Sequence, residues 1–231
     1  MSFWPKPRAT KAFEGIRKQS NITPRTSSRY RLDAPRLANH RIRRRRHGSI
    51  QRSAHQMIIR RLKADEDFVA LTEMLHRAYA PLAAAGLRFN ASYQPPEYTA
   101  RCLVEGAAFM AELQGRIVGT ITVYRPDPKA DTAVYREPNT YHFGQLGVDP
   151  DYKGNGIGRA LHTAAINYAT RCGGRFMALD TAAPAADLIA TYERWGYVIV
   201  DRERWQSTNY ESVIMRRPLS NKPNQSTHPA A

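Results

Sequence analysis

The sequence predicts a single mixed α/β domain built on a central sheet, preceded by a basic extension. Three observations carry this. Apolar segments of strand and helix period alternate from residue 57 onward. The stretch "GAAFMAELQGRIVGTITVY" reads as two strands joined by a tight Gln114-Gly115 turn. The stretch "DYKGNGIGRALH", residues 151–162, follows a strand and opens a long apolar-periodic helix on three glycines.

In chain order, Met57 to Leu62 is a short strand candidate. Asp65 is the expected cap of a helix whose apolar face is Phe68, Leu71, Leu75, Ala78 and Tyr79, with Pro81 at its end. A second helix is expected over Glu97–Leu103, after Pro95 and Pro96. Ala107–Leu113 and Arg116–Tyr124 form the hairpin, and the Pro- and Asp-rich residues 125–139 read as a loop. Thr140–Val148 is the next strand. Ile157, Leu161, Ala164, Ala165, Tyr168 and Cys172 then share one helix face, which Gly173 and Gly174 terminate. Phe176–Asp180 is a strand, and Pro184 opens a helix that ends at Trp195 with Gly196 as its cap. Tyr197–Val200 and Tyr210–Arg216 complete the sheet. The unit over residues 140–180 should be a parallel strand–helix–strand crossover. The domain therefore spans 57–217, between an extension at 1–56 and a polar tail at 218–231.

Charge is distributed unevenly along the 231 residues. Residues 1–56 hold 15 Lys/Arg against two acids, Glu14 and Asp33, a net of +13; residues 57–231 hold 20 against 18, a net of +2. The extension lacks an apolar period, contains Pro5, Pro7, Pro24 and Pro35, and ends in "RIRRRRHGSI", so disorder is expected. It reads as a solvated tail, as sequence upstream of a natural start at Met57, as an organelle transit segment, or as a polyanion-binding arm using Arg41 and Arg43–Arg46. Nucleic acid is a possible partner through this head alone. Cys102 and Cys172 show no metal-ligand or redox spacing, so a reduced, cytoplasmic protein without a metal is expected. No apolar run approaches the length of a membrane span.

The glycine-rich turn carries the chemistry. A strand ending at Val148 that turns into a helix leaves backbone N–H groups free, all pointing at one spot, where the helix dipole adds positive charge. This is an anion site. Gly154, Gly156 and Gly158 let a phosphate approach the main chain, and Lys153 and Arg159 add charge. No Lys-Ser/Thr follows the glycines, and the spacing reads GxGxG rather than GxGxxG, so the P-loop and the dinucleotide fingerprint both fit poorly.

"LGVDPDYKGNGIGRALH" resembles the acetyl-CoA signature of the GCN5-related N-acetyltransferase (GNAT) family. "ELQGRIVGTITVY" resembles that family's central hairpin, and "LIATYERWGYVIV" its later Tyr-x-x-x-Gly-Phe/Tyr segment. The resemblance covers about residues 57–217 and implies a GNAT-like mixed sheet that uses acetyl-CoA. It implies that the backbone of Leu146, Gly147 and Val148 holds the pantetheine arm as an added strand would. It also implies that Lys153, Gly154, Asn155, Gly156, Ile157, Gly158 and Arg159 surround the pyrophosphate. Tyr192 matches the tyrosine that protonates the departing thiolate. Two departures stand out. Lys153 replaces the usual Arg or Gln, and Ala185 occupies the place of an Asn seven residues before the tyrosine, leaving a contact that Thr181 could supply.

The reaction implied is direct acyl transfer from acetyl-CoA to a primary amine of a small molecule, peptide or protein. The ammonium must lose a proton to a base, and His142, Glu112 and Glu203 are the candidates; Gln145 cannot serve. A backbone N–H near Val148 would stabilise the carbonyl oxygen. Asp201, Glu203, Trp205, Tyr210 and Glu211 could form an acidic, aromatic rim for a cationic acceptor. Monomer and homodimer both stay open. The alternatives are an acyl-CoA sensor without catalysis and a polyanion binder.

Overall fold

The computed structural model describes residues 57–219. The readings of the basic head, 1–56, and of most of the tail lie outside the described residues. The elements are β1 (Ile58–Arg61), α1 (Phe68–Ala84), a 3-10 turn (Asn90–Ser92), α2 (Pro96–Glu105), β2 (Ala107–Leu113) and β3 (Arg116–Tyr124). They continue with α3 (Ala133–Arg136), β4 (Thr140–Val148), a 3-10 turn (Pro150–Tyr152) and α4 (Ile157–Arg171). The last four are β5 (Phe176–Ala182), α5 (Ala186–Arg194), β6 (Val198–Glu203) and β7 (Ser212–Pro218). They form one seven-stranded sheet in the order β1-β2-β3-β4-β5-β7-β6. Every pairing is antiparallel except β4 with β5, the crossover expected from sequence.

Local chemistry explains these boundaries. Gln114 and Gly115 both take positive φ, 53° and 77°, as a two-residue hairpin turn requires. The cap of α1 is Asp67 rather than Asp65: its carboxylate accepts from the N–H groups of Val69 and Ala70, both at 3.0 Å. Pro81 lies inside α1 rather than ending it, and the helix runs on to Ala84. The supposed loop at 125–139 contains α3, a single helical turn. Helix α5 begins two residues after Pro184, and Gly196 follows its end at φ 86°. Strands β6 and β7 each start later than expected. Leu219, past the end of β7, is buried, and its N–H donates to the Arg175 carbonyl at 2.8 Å.

Successive strand residues face opposite sides, which makes two layers. Phe109, Ala111, Ile121, Phe143, Met177 and Leu179 pack under Ile157, Leu161 and Ala165 of α4 and Tyr192 of α5. Ala108 and Met110 face the other way, against Leu71, Met74 and Leu75 of α1 and Leu103 of α2.

The feature that positions the site is a split in the sheet. β4 and β5 pair only over Thr140–His142 and Phe176–Ala178. Beyond this, β4 continues to Val148 still bonded to β3, and β5 to Ala182 still bonded to β7. The two strands diverge between them. A bulge in β4 accompanies the split: Gln145 and Leu146 stand between the pairs Thr122↔Gly144 and Thr120↔Gly147, opposite Ile121 alone, with Gln145 at φ 52°.

Candidate active site

The split leaves the β5-facing edge of β4 without a strand partner from Phe143 to Val148. Its N–H and C=O groups are available to an extended ligand arm. Leu146 and Gly147 lie on that stretch. The hydroxyl of Tyr79, from α1, donates to the Leu146 carbonyl at 3.0 Å and fixes the bulge. Gly147 is a glycine because α1 passes close over it: a Cβ there would lie 2.8 Å from Leu75 Cδ2.

Past Val148 the chain is anchored at Asp149. That side chain is 1% exposed and accepts from Arg77 at 2.8 Å and Arg116 at 3.2 Å. Burial pushes its carboxyl up, but the Arg77 bond, the Asp151 N–H and the two guanidinium charges hold it below the ordinary range. The glycine turn follows. Gly154 and Gly156 have φ of 80° and 75°, and a Cβ on either would meet nothing within 4 Å. The glycines are therefore required by backbone conformation, and the space above them is open. Asn155 is exposed and bonds back to its own turn, its amide donating to the Tyr152 carbonyl at 3.2 Å. No side chain caps α4 at Gly156. The N–H groups of Ile157, Gly158 and Arg159 thus face the opening without helical partners. Lys153 and Arg159 are exposed beside them, with the Arg159 guanidinium 5.6 Å over the Trp195 ring, while the Ile157 side chain is core.

Tyr192 is 9% exposed and packs against Phe143 and Trp195, with centroids 6.0 Å and 5.8 Å away. Burial, then the nearby Tyr79 and the charge of Asp180, raise its phenol well above the ordinary value. Tyr192 is thus a protonated donor at neutral pH.

The structure adds a residue that sequence reasoning missed. Asp180 sits two residues past Ala178, where β5 leaves β4. Solvent reaches it, yet the surrounding protein desolvates its carboxyl and pushes the pKa up, against hydrogen bonds that pull it down. Tyr135 Oη donates to Oδ1 at 2.9 Å and Trp205 Nε1 to Oδ2 at 3.2 Å. Tyr79, Tyr192 and Tyr210 all feel its charge. Phe89 bridges two of these rings, 5.6 Å from Tyr79 and 5.0 Å from Tyr210. A signal existed in the sequence: one acid inside the apolar run "FMALDTA", twelve residues before Tyr192.

The expected acidic rim forms only in part. Trp205 and Tyr210 gather around Asp180, but Glu211 pairs with Arg202, and Asp201 accepts from the Arg202 N–H. The candidate bases fare no better. Glu112 is bound by Arg60 at the β1–β2 end of the sheet. Glu203 lies on the edge strand β6 and accepts from the Arg204 N–H. His142 is sandwiched between Tyr135, 3.9 Å away at 8°, and Tyr124, 5.1 Å away. Burial lowers its pKa to about 4, so it is a poor proton acceptor. Ala185 is buried. Thr181 is 2% exposed, and its hydroxyl has no partner.

Among the described residues, no group of three or more His, Cys, Asp or Glu could hold a metal. No helix among them is long and apolar enough to cross a membrane.

A split sheet with an unpaired strand edge that runs into an uncapped glycine turn offers one continuous place for an extended arm and an anion, the two parts of an acyl-CoA. A model of the acetyltransferase (GNAT) family matches residues 70–197. The S-(2-succino)cysteine N-acetyltransferase of Bacillus subtilis (strain 168) is 34% identical over 143 residues, covering 60% of this chain and 82% of that protein. Two solved structures share the fold. The ribosomal-protein-S18-alanine N-acetyltransferase of Escherichia coli has a TM-score of 0.55 at 20% identity, covering 75% of this chain and 100% of that one. A GNAT family acetyltransferase from Elizabethkingia anophelis, solved with acetyl-CoA bound, has a TM-score of 0.51 at 15% identity, covering 71% and 98%. The chain belongs to the GNAT family and is an acyltransferase that uses acetyl-CoA.

Proposed function

We propose that this protein moves the acetyl group of acetyl-CoA to the primary amine of a small, amino-acid-like acceptor, with Asp180 on the acceptor side and Tyr192 on the thiol side of the split. The observation that carries this is the position of Asp180 at the mouth of the β4–β5 opening, held by two donors and ringed by aromatics. The curated relative, named for acetylating a cysteine derivative, supports a small-molecule acceptor.

On this reading, the unpaired edge at Leu146, Gly147 and Val148 binds the pantetheine arm. The amides from Gly154 to Arg159, with Lys153, bind the pyrophosphate. An ammonium group enters the aromatic ring around Asp180, where a carboxylate attracts it. Asp180 takes one proton, directly or through water. The neutral nitrogen then forms its bond to the thioester carbonyl carbon, while a β4 N–H donates to the carbonyl oxygen. As the carbon–sulfur bond breaks, Tyr192 gives its proton to sulfur, and the second proton that the nitrogen sheds on becoming an amide returns through water to Tyr192, while Asp180 releases the first to solvent. The raised pKa of Asp180 suits this task, because a carboxylate of ordinary pKa is a weaker base near neutral pH.

A thiol-release assay tests the reading: acetyl-CoA is offered with S-(2-succino)cysteine, free amino acids, simple amines and a peptide with a free N-terminus. Small amino-acid acceptors are expected to release thiol fastest. Asp180→Asn should lower turnover by roughly 10²-fold or more, the scale of a general base. Calorimetric binding of acetyl-CoA without thiol release from any amine would instead support a sensor.

A further inference from the structure

We propose that Tyr135 is the positioning residue of the acceptor side: it orients the Asp180 carboxylate through Oδ1 and is itself held flat by its stack on His142. This rests on the acceptor-side role of Asp180 given above.

The geometry is specific. Tyr135 is 7% exposed, and its hydroxyl has a single acceptor, Asp180 Oδ1, at 2.9 Å. Its ring lies 3.9 Å from the His142 ring with only 8° between the planes. The other face of His142 is covered by Tyr124. The three rings form a stack whose end touches the carboxylate. A half-buried imidazole whose pKa is lowered and whose buried Nδ1 has no partner has no evident acid–base task here, and its position explains it as a flat support. Tyr135 also contacts Val134, Ala178 and Ile214, so its ring has little freedom.

The backbone beneath it is tied down as well. Tyr135 accepts from the Asp127 N–H at 3.0 Å, and Arg136 bonds the carbonyls of Ala130 and Asp131 at 2.7 Å and 2.8 Å. A loop of this length is otherwise a poor platform for a site group; these bonds and the α3 turn make it one. Trp205, from the β6–β7 connection, holds the second oxygen. Two donors from two separate segments fix the plane of the carboxylate and leave its remaining lone pairs for an acceptor nitrogen.

A donated hydrogen bond favours the charged carboxylate over the acid. Tyr135 therefore sets how far the pKa of Asp180 can climb under desolvation. The groups that face Asp180 are Tyr135 from α3, Trp205 and Tyr210 from the β6–β7 segment, Tyr79 from α1 and Tyr192 from α5. The four phenols all have raised pKa values, so none of them should titrate below neutrality. The acidic limb of the rate profile then belongs to Asp180.

Tyr135→Phe keeps the ring and the stack and removes only the donor. Relative to wild type, the acidic limb of kcat should move up by about one pH unit. Turnover at pH 7 should fall severalfold, with KM for acetyl-CoA unchanged. A carboxyl 13C titration of Asp-labelled protein reads the same shift without turnover, and thermal melting checks the fold. An unmoved limb and titration in Tyr135→Phe, with Asp180→Asn nearly inactive, would overturn the role of Tyr135 alone. Full activity in Asp180→Asn would overturn the acceptor-side carboxylate, and this inference with it.

Discussion

Tyr192 keeps its proton over the whole range in which an amine acceptor works, because burial and two neighbouring groups hold its phenol far above the ordinary value. In the role proposed above, such a donor would act only when charge develops on sulfur, and would contribute to breaking the bond rather than to holding the cofactor. Tyr192→Phe should therefore lower kcat by about 10²-fold, on the scale of one general acid. The acetyl-CoA dissociation constant should stay within about twofold, since ring packing on Phe143 and Trp195 is kept. Steady-state rates from pH 6 to 9 with calorimetry check this; wild-type rates at every pH would remove Tyr192 from the reaction. The place of Tyr192 on a helix ahead of Gly196 was legible in the sequence because a spaced motif carries it. Asp180 and Tyr135 were not, because 45 residues separate them and their hydrogen bond depends on where β5 leaves β4.

At the scale of elements, the glycine turn and the start of α4 separate two roles that sequence alone merges. Gly154, Gly156 and Gly158 look alike as a string, yet only the first two have positive φ. Gly156→Ala would force a side chain into the left-handed region and should cost about 1–2 kcal/mol of stability. Gly158 has no such demand: a Cβ there meets Val148 Cγ2 at 3.7 Å, an ordinary contact. Gly158→Ala should leave melting temperature unchanged or raised, since alanine favours the helix by up to about 1 kcal/mol. If the amides of that turn hold the diphosphate, the same variant should still weaken acetyl-CoA binding, because the methyl group crowds the approach. Melting and calorimetry on the pair of variants separate conformation from contact, and unchanged affinity in Gly158→Ala would move the diphosphate off this residue. The strand–turn–helix order was legible because period and glycines are local signals. The exact cap of α1, the α3 turn and the starts of β6 and β7 were not, since packing and pairing set them.

At the scale of the whole molecule, charge and fold belong to different parts of the chain. The seven-stranded sheet begins at Ile58, and every site residue discussed above lies on it or on the helices, turns and loops that follow its first strand. The +13 of residues 1–56 precedes it, whereas residues 57–231 are close to neutral. On the proposed reading, acetyl transfer uses the split, the turn and the acceptor ring, all within 57–219, so removing residues 1–56 should leave kcat and both KM values within about twofold for a small-molecule acceptor. Polyanion binding is a matter of summed charge and counterion release. Retention on heparin at low salt should therefore fall sharply in the truncated protein, and for the full chain the salt needed for elution should track the number of arginines kept in "RIRRRR". A large loss of acetyl transfer on truncation would instead assign the head a part in the acceptor site. Loss of transfer only toward an acidic protein acceptor, with small amines unaffected, would make the head a substrate-capturing arm.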